Sequence, residues 1–177
     1  MTFSDPTWQG LLPGKPEPYF LAAGDGERSV VFDQLFTVLL SADETAGQFG
    51  AFTMESSKGQ TIVAHTHMNV HETFYIVEGR VTLFLEDHDG NQISRVLEPG
   101  DFGFVPATYI HAFRADADYN KVFGISTGGF ERFFHSLGQP TDDKGVPTVP
   151  FIPSREQMGA AFSRYDNIPK LDQQWKE

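Results

Sequence analysis

Residues Gly59–Gly79 read GQTIVAHTHMNVHETFYIVEG, the most informative pattern in the chain. His65 and His67 stand two positions apart in its first β-type segment. Residues two apart on a strand point to the same face, so one strand presents both imidazoles in the same direction. Glu72 opens the next β-type segment, where it shares a face with Phe74. The stretch therefore predicts a site at which two imidazoles and one carboxylate meet.

A third histidine completes this set of polar side chains. His111 follows the segment PGDFGFVPATYI (residues 99–110) and stands at the start of another β-type run. Neutral imidazoles and a carboxylate provide nitrogen and oxygen donors that Fe, Mn, Ni, Co, Cu and Zn all accept. We therefore expect one divalent first-row transition metal, whose identity the residues do not select, to be bound by four ligands: His65, His67, Glu72 and His111.

The sequence around this stretch predicts an all-β domain. From about residue 29 to residue 127, short runs rich in β-branched and aromatic residues alternate with turn signals, beginning with SVVFDQLFTVLL (29–40). The segment DHDGN (87–91) is typical of a hairpin connection, with Gly90 available for a positive φ. We find no internal repeat, which favours one barrel over two.

The chain on either side of these runs has a different pattern. Residues 1–28 are rich in proline and glycine and are expected to form an extended arm. Residues 128–177 change to a helical period, with apolar residues on one face between Phe130 and Leu137. We therefore divide the chain into an N-terminal arm (1–28), a barrel core (29–127) and a helical extension packed on the barrel (128–177).

Two features of the extension predict where its helices begin and end. Gly138 follows the first apolar stripe and is expected to close that helix. Ser154 and Gln157 form an S-x-x-Q pattern, which is typical of a capping box at the start of a second helix.

Composition limits the classes of function. Asp and Glu total 24 against 13 Lys and Arg, which gives a formal net charge of −11 and disfavours nucleic acid and anionic membranes as partners. The chain has no cysteine, so disulfides, thiolate ligands and cysteine nucleophiles are excluded. The N-terminal residues lack the pattern of a signal peptide, and no segment is apolar enough to span a membrane. We therefore expect a cytoplasmic location.

These residues match a known pair of motifs. The opening stretch resembles the first cupin motif, G-x5-H-x-H-x4-E-x6-G, at every fixed position. The second motif, G-x5-P-x-G-x2-H, is matched at Gly100, Pro106 and His111. It departs at Thr108, where many cupins have glycine, and at Ala115, where many have asparagine. The resemblance implies a single cupin barrel of the jelly-roll type.

A narrower resemblance covers most of the chain. The segments PGKPEPYF (13–20), ETFYIVEGRVTLFLED (72–87) and GGFERFFHSLG (128–138) look like those of single-cupin quercetin 2,3-dioxygenases. Enzymes of this family cleave the heterocyclic ring of a flavonol with O2 and release carbon monoxide. The resemblance implies a metal-dependent dioxygenase with a small aromatic substrate, Glu72 as both ligand and base, and a homodimeric assembly.

The 17 phenylalanines of the chain suggest walls for an apolar pocket. From their strand positions we expect substrate contacts at Phe52, Phe74, Phe104 and Phe113. Two alternatives stay open, since a fold does not fix a function. One is a cupin oxygenase or isomerase acting on another enolisable phenol or diketone, and the other is a non-catalytic cupin that binds a small molecule. Glu72 favours catalysis, because a pure binding site has less need of a base.

The remaining histidines are expected to lie outside the site. His71 is next to Glu72, so strand alternation directs it to the opposite face. His88 lies in the predicted hairpin loop, and His135 lies off the apolar stripe of the first helix.

Overall fold

The structure, a computed structural model, describes residues 9–176. Its strands, in chain order, are β1 (Glu27–Val31), β2 (Gln34–Leu40), β3 (Phe49–Ser57), β4 (Thr61–Thr66), β5 (Glu72–Glu78), β6 (Val81–Glu86), β7 (Gln92–Leu97), β8 (Phe102–Val105), β9 (Ile110–Ala115), β10 (Tyr119–Thr127), β11 (Gln139–Pro140) and β12 (Ile168–Pro169). Two helices, α1 (Glu131–Leu137) and α2 (Arg155–Arg164), follow β10.

The strands form two sheets whose inner faces enclose the core. One sheet has the order β11-β1-β2-β3-β10-β5-β8, and the other has the order β12-β4-β9-β6-β7. Along β10, buried and half-buried residues alternate without interruption, as expected for a strand with one face turned inward. The core formed by these inner faces includes Val38, Ile76, Val81 and Val122. The predicted all-β barrel with short C-terminal helices is confirmed.

The first predicted β run is two strands joined by a tight turn. Val31 pairs with Gln34 across an antiparallel register, so Phe32 and Asp33 make a two-residue connection between β1 and β2. Phe32 has a φ of 55°. Turns of this length need left-handed backbone and normally use Asn, Asp or Gly, so a phenylalanine at this position gave no signal of a turn.

The hairpin and motif turns follow the sequence more closely. Gly90 adopts a φ of 78° between β6 and β7, as predicted for the DHDGN loop. Gly79 of the first motif has a φ of 84°, and a β-carbon there would collide with the carbonyl oxygen of Tyr119. Glycine is therefore required at Gly79 both by its conformation and by the close approach of the β10 backbone.

The C-terminal extension (residues 128–177) contributes two short strands as well as two helices. Its short strands β11 and β12 pair with β1 and β4, so it adds one edge strand to each sheet. Gly138 ends α1 in an extended conformation, and glycine is needed because a β-carbon would lie 2.8 Å from the carbonyl oxygen of Val30. Ser154 accepts a hydrogen bond from the backbone N–H of Gln157, as in a capping box. The Gln157 side chain instead donates to the carbonyl oxygens of Ser136 and Leu137, which ties α2 to α1.

The described part of the N-terminal segment is held by buried carboxylates. Glu27 is fully buried and accepts hydrogen bonds from the backbone N–H groups of Gln9, Leu11 and Leu12. Glu44 accepts another from Gly14 at 2.7 Å. The first eight residues of the predicted arm lie outside the described residues, and the division at residues 28 and 127 stays a prediction. No helix within residues 9–176 is long and apolar enough to cross a membrane.

Candidate metal centre

The four predicted ligands come together between the two sheets. His65 near the end of β4 lies directly opposite His111 of β9 in the smaller sheet. His67 follows β4 immediately, and Glu72 is the first residue of β5 in the larger sheet. All four residues are buried, with exposures between 1% and 5%. The site is therefore built where one strand pair of the smaller sheet faces β5 across the barrel.

The donor atoms of this group are close enough to share one ion. One ligand atom from each residue lies within 4.8 Å of all the others. Oε2 of Glu72 lies 2.8 Å from Nε2 of His111 and 3.3 Å from Nε2 of His67. Neighbouring ligands with bonds of about 2.1 Å are separated by roughly 3 Å, so these distances suit a divalent metal.

Backbone carbonyls set the orientation of all three rings. Nδ1 of His65 donates to Val63, Nδ1 of His67 to Asp166 and Nδ1 of His111 to Tyr109, over 2.8, 2.8 and 3.3 Å. A carbonyl oxygen only accepts, so each Nδ1 carries hydrogen and each Nε2 is the remaining lone-pair donor.

Nε2 of His67 shows most directly that this group suits an ion. It is buried, and although Oε2 of Glu72 lies 3.3 Å away, it makes no hydrogen bond of good geometry within the described part of the chain. A buried nitrogen without a partner is unfavourable, and a bound cation would satisfy it.

The charge states of the group also suit a cation. Burial acts to raise the pKa of Glu72, but the adjacent imidazoles of His111 and His67 outweigh it and lower the pKa, so Glu72 is a carboxylate. Burial, reinforced by the nearby His111, lowers the pKa of His65 well below its ordinary value. Burial opposes protonation of His67, yet the adjacent carboxylate of Glu72 raises the pKa of this imidazole. Glu72 thus supplies the negative charge of the site, and His65 supplies a neutral imidazole.

An apolar cavity of about 60 Å³ adjoins His65, Glu72 and His111. Phe52 and Phe74 line it together with Phe113, as the sequence analysis expected. We call this space the inner cavity.

The expectation that Phe104 lines this pocket is wrong. Phe104 pairs with Thr73 on the outer face of the larger sheet, where it is 51% exposed and stacks on His71. Its neighbour Gly103 pairs with Phe74 and faces inward. The register between β5 and β8 decides which residue points into the barrel, and this register could not be read from the sequence.

Comparison with known proteins agrees with this architecture. Residues 52–123 match the family model described as Cupin domain. This segment resembles a cupin domain. It contains all four residues of the candidate metal centre.

Two relatives of the chain carry the name quercetin 2,3-dioxygenase. The protein from Bacillus subtilis is 40% identical over 140 residues, and the one from Aspergillus japonicus is 30% identical over 146 residues. The matches cover 78% and 80% of this chain. The chain spans only 40% and 41% of the length of these relatives.

Solved structures at low identity show the same fold. Oxalate decarboxylase from Bacillus subtilis aligns with a TM-score of 0.55 at 14% identity, over 66% of this chain and 31% of that one. KdgF from Halomonas sp. aligns with a TM-score of 0.53 at 18% identity, over 63% of this chain and 94% of that one. Such likeness supports the cupin fold, while function depends on the residues of the site.

The extension supplies parts of the site that the motif pattern did not indicate. The ring of Phe130 packs edge-on against His67 with centroids 4.4 Å apart, and Phe133 and Phe134 also line the inner cavity. From the sequence, the apolar stripe of this extension is expected to pack on the barrel. Its spacing predicted a buried face but not which cavity that face would close.

Two further residues fix the backbone around His67. The carboxylate of Asp166 accepts hydrogen bonds from the backbone N–H groups of Met68 and Asn69, both at 2.8 Å. Thr108 donates its backbone N–H to the carbonyl oxygen of His67 at 2.6 Å. Thr108 has a φ of 76°, which explains why many cupins have glycine at this position.

The other histidines of the described chain lie away from the metal centre. His71 is exposed, and its Nδ1 accepts a hydrogen bond from the backbone N–H of Ala107. His88 is exposed in its hairpin and contacts Thr108. His135 differs from expectation, because it is only 3% exposed although it lies off the apolar stripe. Burial lowers the pKa of His135 to about 4.

Proposed function

We propose that the chain is a metal-dependent dioxygenase that cleaves the heterocyclic ring of a flavonol and releases carbon monoxide. The observation that carries this proposal is a buried group of three histidines and one glutamate that borders a phenylalanine-lined cavity. The relatives named quercetin 2,3-dioxygenase support the same substrate class. The chain spans less than half of each relative, so the activity of the relatives is proposed for this chain on the basis of its own site.

The residues of the site fit a divalent first-row metal. Nε2 atoms of the three imidazoles and the carboxylate of Glu72 would hold it, and their donor types do not select among Ni, Mn, Fe, Co and Cu. When bound, such an ion makes a coordinated hydroxyl more acidic and brings an oxidisable substrate and O2 together.

In this proposal Glu72 handles the proton of the substrate. A flavonol carries a hydroxyl on C3 beside the carbonyl on C4, and Glu72 lies at the wall of the inner cavity where such a hydroxyl would enter. Glu72 takes the hydroxyl proton as general base and leaves an electron-rich enolate. The surrounding phenylalanines, including Phe52, Phe74 and Phe113, exclude water from this enolate.

The proposed reaction balances with the flavonol and O2 as its only reactants. The two atoms of O2 add at C2 and C4, the C2–C3 and C3–C4 bonds break, and C3 leaves with its own oxygen as carbon monoxide. The remaining product is an ester that bears a carboxylic acid, to which Glu72 returns the proton. O2 is the only oxidant, and both of its atoms remain in the ester product.

The test is aerobic incubation of metal-loaded protein with quercetin. We expect loss of the visible absorption of the flavonol together with one equivalent of carbon monoxide. Loss of absorption without carbon monoxide would favour an oxygenase of the same fold acting by another route. Full metal occupancy with no flavonol decay would remove the quercetinase assignment and leave the metal-binding cupin.

We also propose that the chain acts as a homodimer in the cytoplasm. Support for the dimer comes from the outer surface of β5 and β8, where Tyr75, Val77, Phe102 and Phe104 are each at least 43% exposed. Clustered exposed aromatic side chains favour association, and a two-fold axis lets one patch pair with itself. Light scattering after gel filtration should give twice the mass of the chain, and Phe102→Glu should halve it. Ile93→Glu, on exposed β7, is the matched control.

The cytoplasmic location rests on the sequence alone.

A further inference from the structure

A second and larger cavity lies beside the metal centre, between β4, α1 and α2. We propose that this outer cavity binds the ring system of a planar polyphenolic substrate, while the inner cavity holds only its reacting edge. The outer cavity is defined by Ile62, His65, Phe134, Met158, Gly159 and Asn167 among its lining residues, and its volume is about 590 Å³. The inference rests on the proposed function and adds the place where the substrate body is held.

Size separates the roles of the two cavities. The inner cavity, at about 60 Å³, has room for a few water molecules or for O2, and not for a molecule with three rings. Pockets that hold drug-sized ligands are typically about 300–1,000 Å³, a range that includes the outer cavity. A flavonol whose hydroxyl reaches Glu72 must therefore place most of its rings elsewhere, and the outer cavity has the required volume.

The two cavities share part of their walls. His65, Ile62, Phe134 and Asn167 line both of them. A ligand in the outer cavity thus lies against a residue of the metal centre. Asn167 offers a side-chain amide at this shared wall, which can donate to or accept from the oxygen atoms of a polyphenol.

Gly159 gives the most specific indication of a ligand. It lies inside α2, where glycine is about 1 kcal/mol less favourable than alanine. Its backbone has no left-handed conformation, and a β-carbon placed on it would meet nothing within 4 Å. Neither conformation nor packing therefore requires glycine at this position. Gly159 is exposed and lines the outer cavity, so the open space beside it adjoins that cavity.

The chemistry of the walls defines the class of ligand. Most lining residues are aliphatic or aromatic, including Phe32, Val63 and Phe162, which suits flat ring faces. Arg155, exposed at the start of α2, lines the cavity as well. A guanidinium there would favour a weakly acidic hydroxyl on the distal ring of the substrate. The structure therefore points to planar polyphenols with a hydroxylated outer ring.

The experiment measures quercetin binding to metal-loaded protein under nitrogen, by calorimetry, so that no turnover occurs. Gly159 is replaced by Ala, Leu and Phe, which fill the cavity in steps. Ala160→Phe is the matched control, since Ala160 is exposed on the same helix and does not line the cavity. Gly159→Ala should fold at least as well as wild type, because alanine favours the helix. Metal content and thermal unfolding are recorded for every variant.

We expect the dissociation constant to rise with side-chain size at Gly159, by at least about tenfold for Phe. Ala160→Phe should bind quercetin as wild type does, and all variants should keep their metal. Equal binding by Gly159→Phe and wild type, or equal loss at both positions, would overturn the inference. So would a wild-type protein that binds no quercetin. Tight binding that Gly159→Phe blocks, in a protein that never turns quercetin over, would support the binding site and refute the dioxygenase.

Discussion

The imidazole of His67 donates a hydrogen bond from Nδ1 to the carbonyl oxygen of Asp166, which is 2.8 Å away and 99 residues later in the chain. The carboxylate of Asp166 also holds the backbone N–H groups of Met68 and Asn69. The C-terminal extension therefore orients one of the proposed ligands and fixes the loop that follows it. Partners of this kind are typically worth about 10–100-fold in metal affinity.

Asp166→Ala should weaken metal binding by about tenfold or more. The substitution removes the carboxylate that holds residues 68 and 69. It also places alanine at a φ of 56°, a conformation that side chains with a β-carbon seldom adopt. Asp166→Asn is the matched control, because asparagine keeps one acceptor oxygen and tolerates this backbone. Competition with a chelator measures the affinity without reference to activity. Wild-type affinity in Asp166→Ala would show that the carboxylate does not position His67.

Metal occupancy tests the ligand set directly. His67→Ala should abolish stoichiometric binding of a divalent metal, because the remaining three side chains would leave the coordination incomplete. His71→Ala should keep its metal, since His71 is exposed and outside the group. Elemental analysis of purified proteins gives both results. Equal metal in wild type and His67→Ala would remove His67 from the site, and loss in His71→Ala would show that the ligand set is wrong.

The metal centre could be anticipated because its residues sit at fixed spacings on short elements. His65 and His67 are two positions apart, and Glu72 opens the next strand, so the period of a strand predicted that the two histidines share a face. His111 was identified through its motif, and the structure places it opposite His65 in β9. In each case a local pattern carried the information.

Features that depend on distant pairing could not be anticipated. Phe104 and Phe74 are both apolar strand residues, and only the register between β8 and β5 places one outside and the other inside. The contact between Asp166 and His67 joins segments 99 residues apart and has no signature in either. The turn at Phe32 uses a residue type that rarely occupies left-handed backbone.

The buried His135 predicts a loss of stability in acid. Its pKa falls to about 4 in the folded protein, against about 6.5 in an unfolded chain. Below pH 6.5 the unfolded state therefore binds more protons than the folded state. The free energy of unfolding is unaffected by this histidine above that pH and decreases as the pH falls toward 4. The full pKa shift lowers the free energy of unfolding by about 3 kcal/mol, of which about 2 kcal/mol is lost by pH 5.

Urea unfolding at pH 7, 6 and 5 should show this dependence, and in His135→Gln the loss of unfolding free energy between pH 7 and pH 5 should be smaller by about 2 kcal/mol. Glutamine is polar and does not titrate, so the difference between the two proteins isolates the histidine. His88→Gln, at an exposed position, should leave the slope unchanged. A His135→Gln profile parallel to wild type would show that His135 is not the group responsible.

The role of Glu72 beyond ligation is tested by Glu72→Gln. Glutamine keeps the size and one oxygen donor but removes the negative charge and the basicity. If Glu72 only binds metal, affinity and activity should fall in step, and excess metal should restore the rate. If it is the general base, the metal-loaded variant should still bind flavonol but turn it over about 10²–10⁴-fold more slowly.

Single-turnover flavonol decay under air, at matched metal content, separates these cases. A loss of this size corresponds to about 3–5 kcal/mol of barrier, which is far above experimental error. Glu72→Asp keeps the charge but shortens the side chain by one methylene, so its rate should lie between those of wild type and Glu72→Gln. A metal-replete Glu72→Gln protein that runs near the wild-type rate would refute the base assignment. It would leave Glu72 as a ligand, held between His67 and His111 at 3.3 and 2.8 Å.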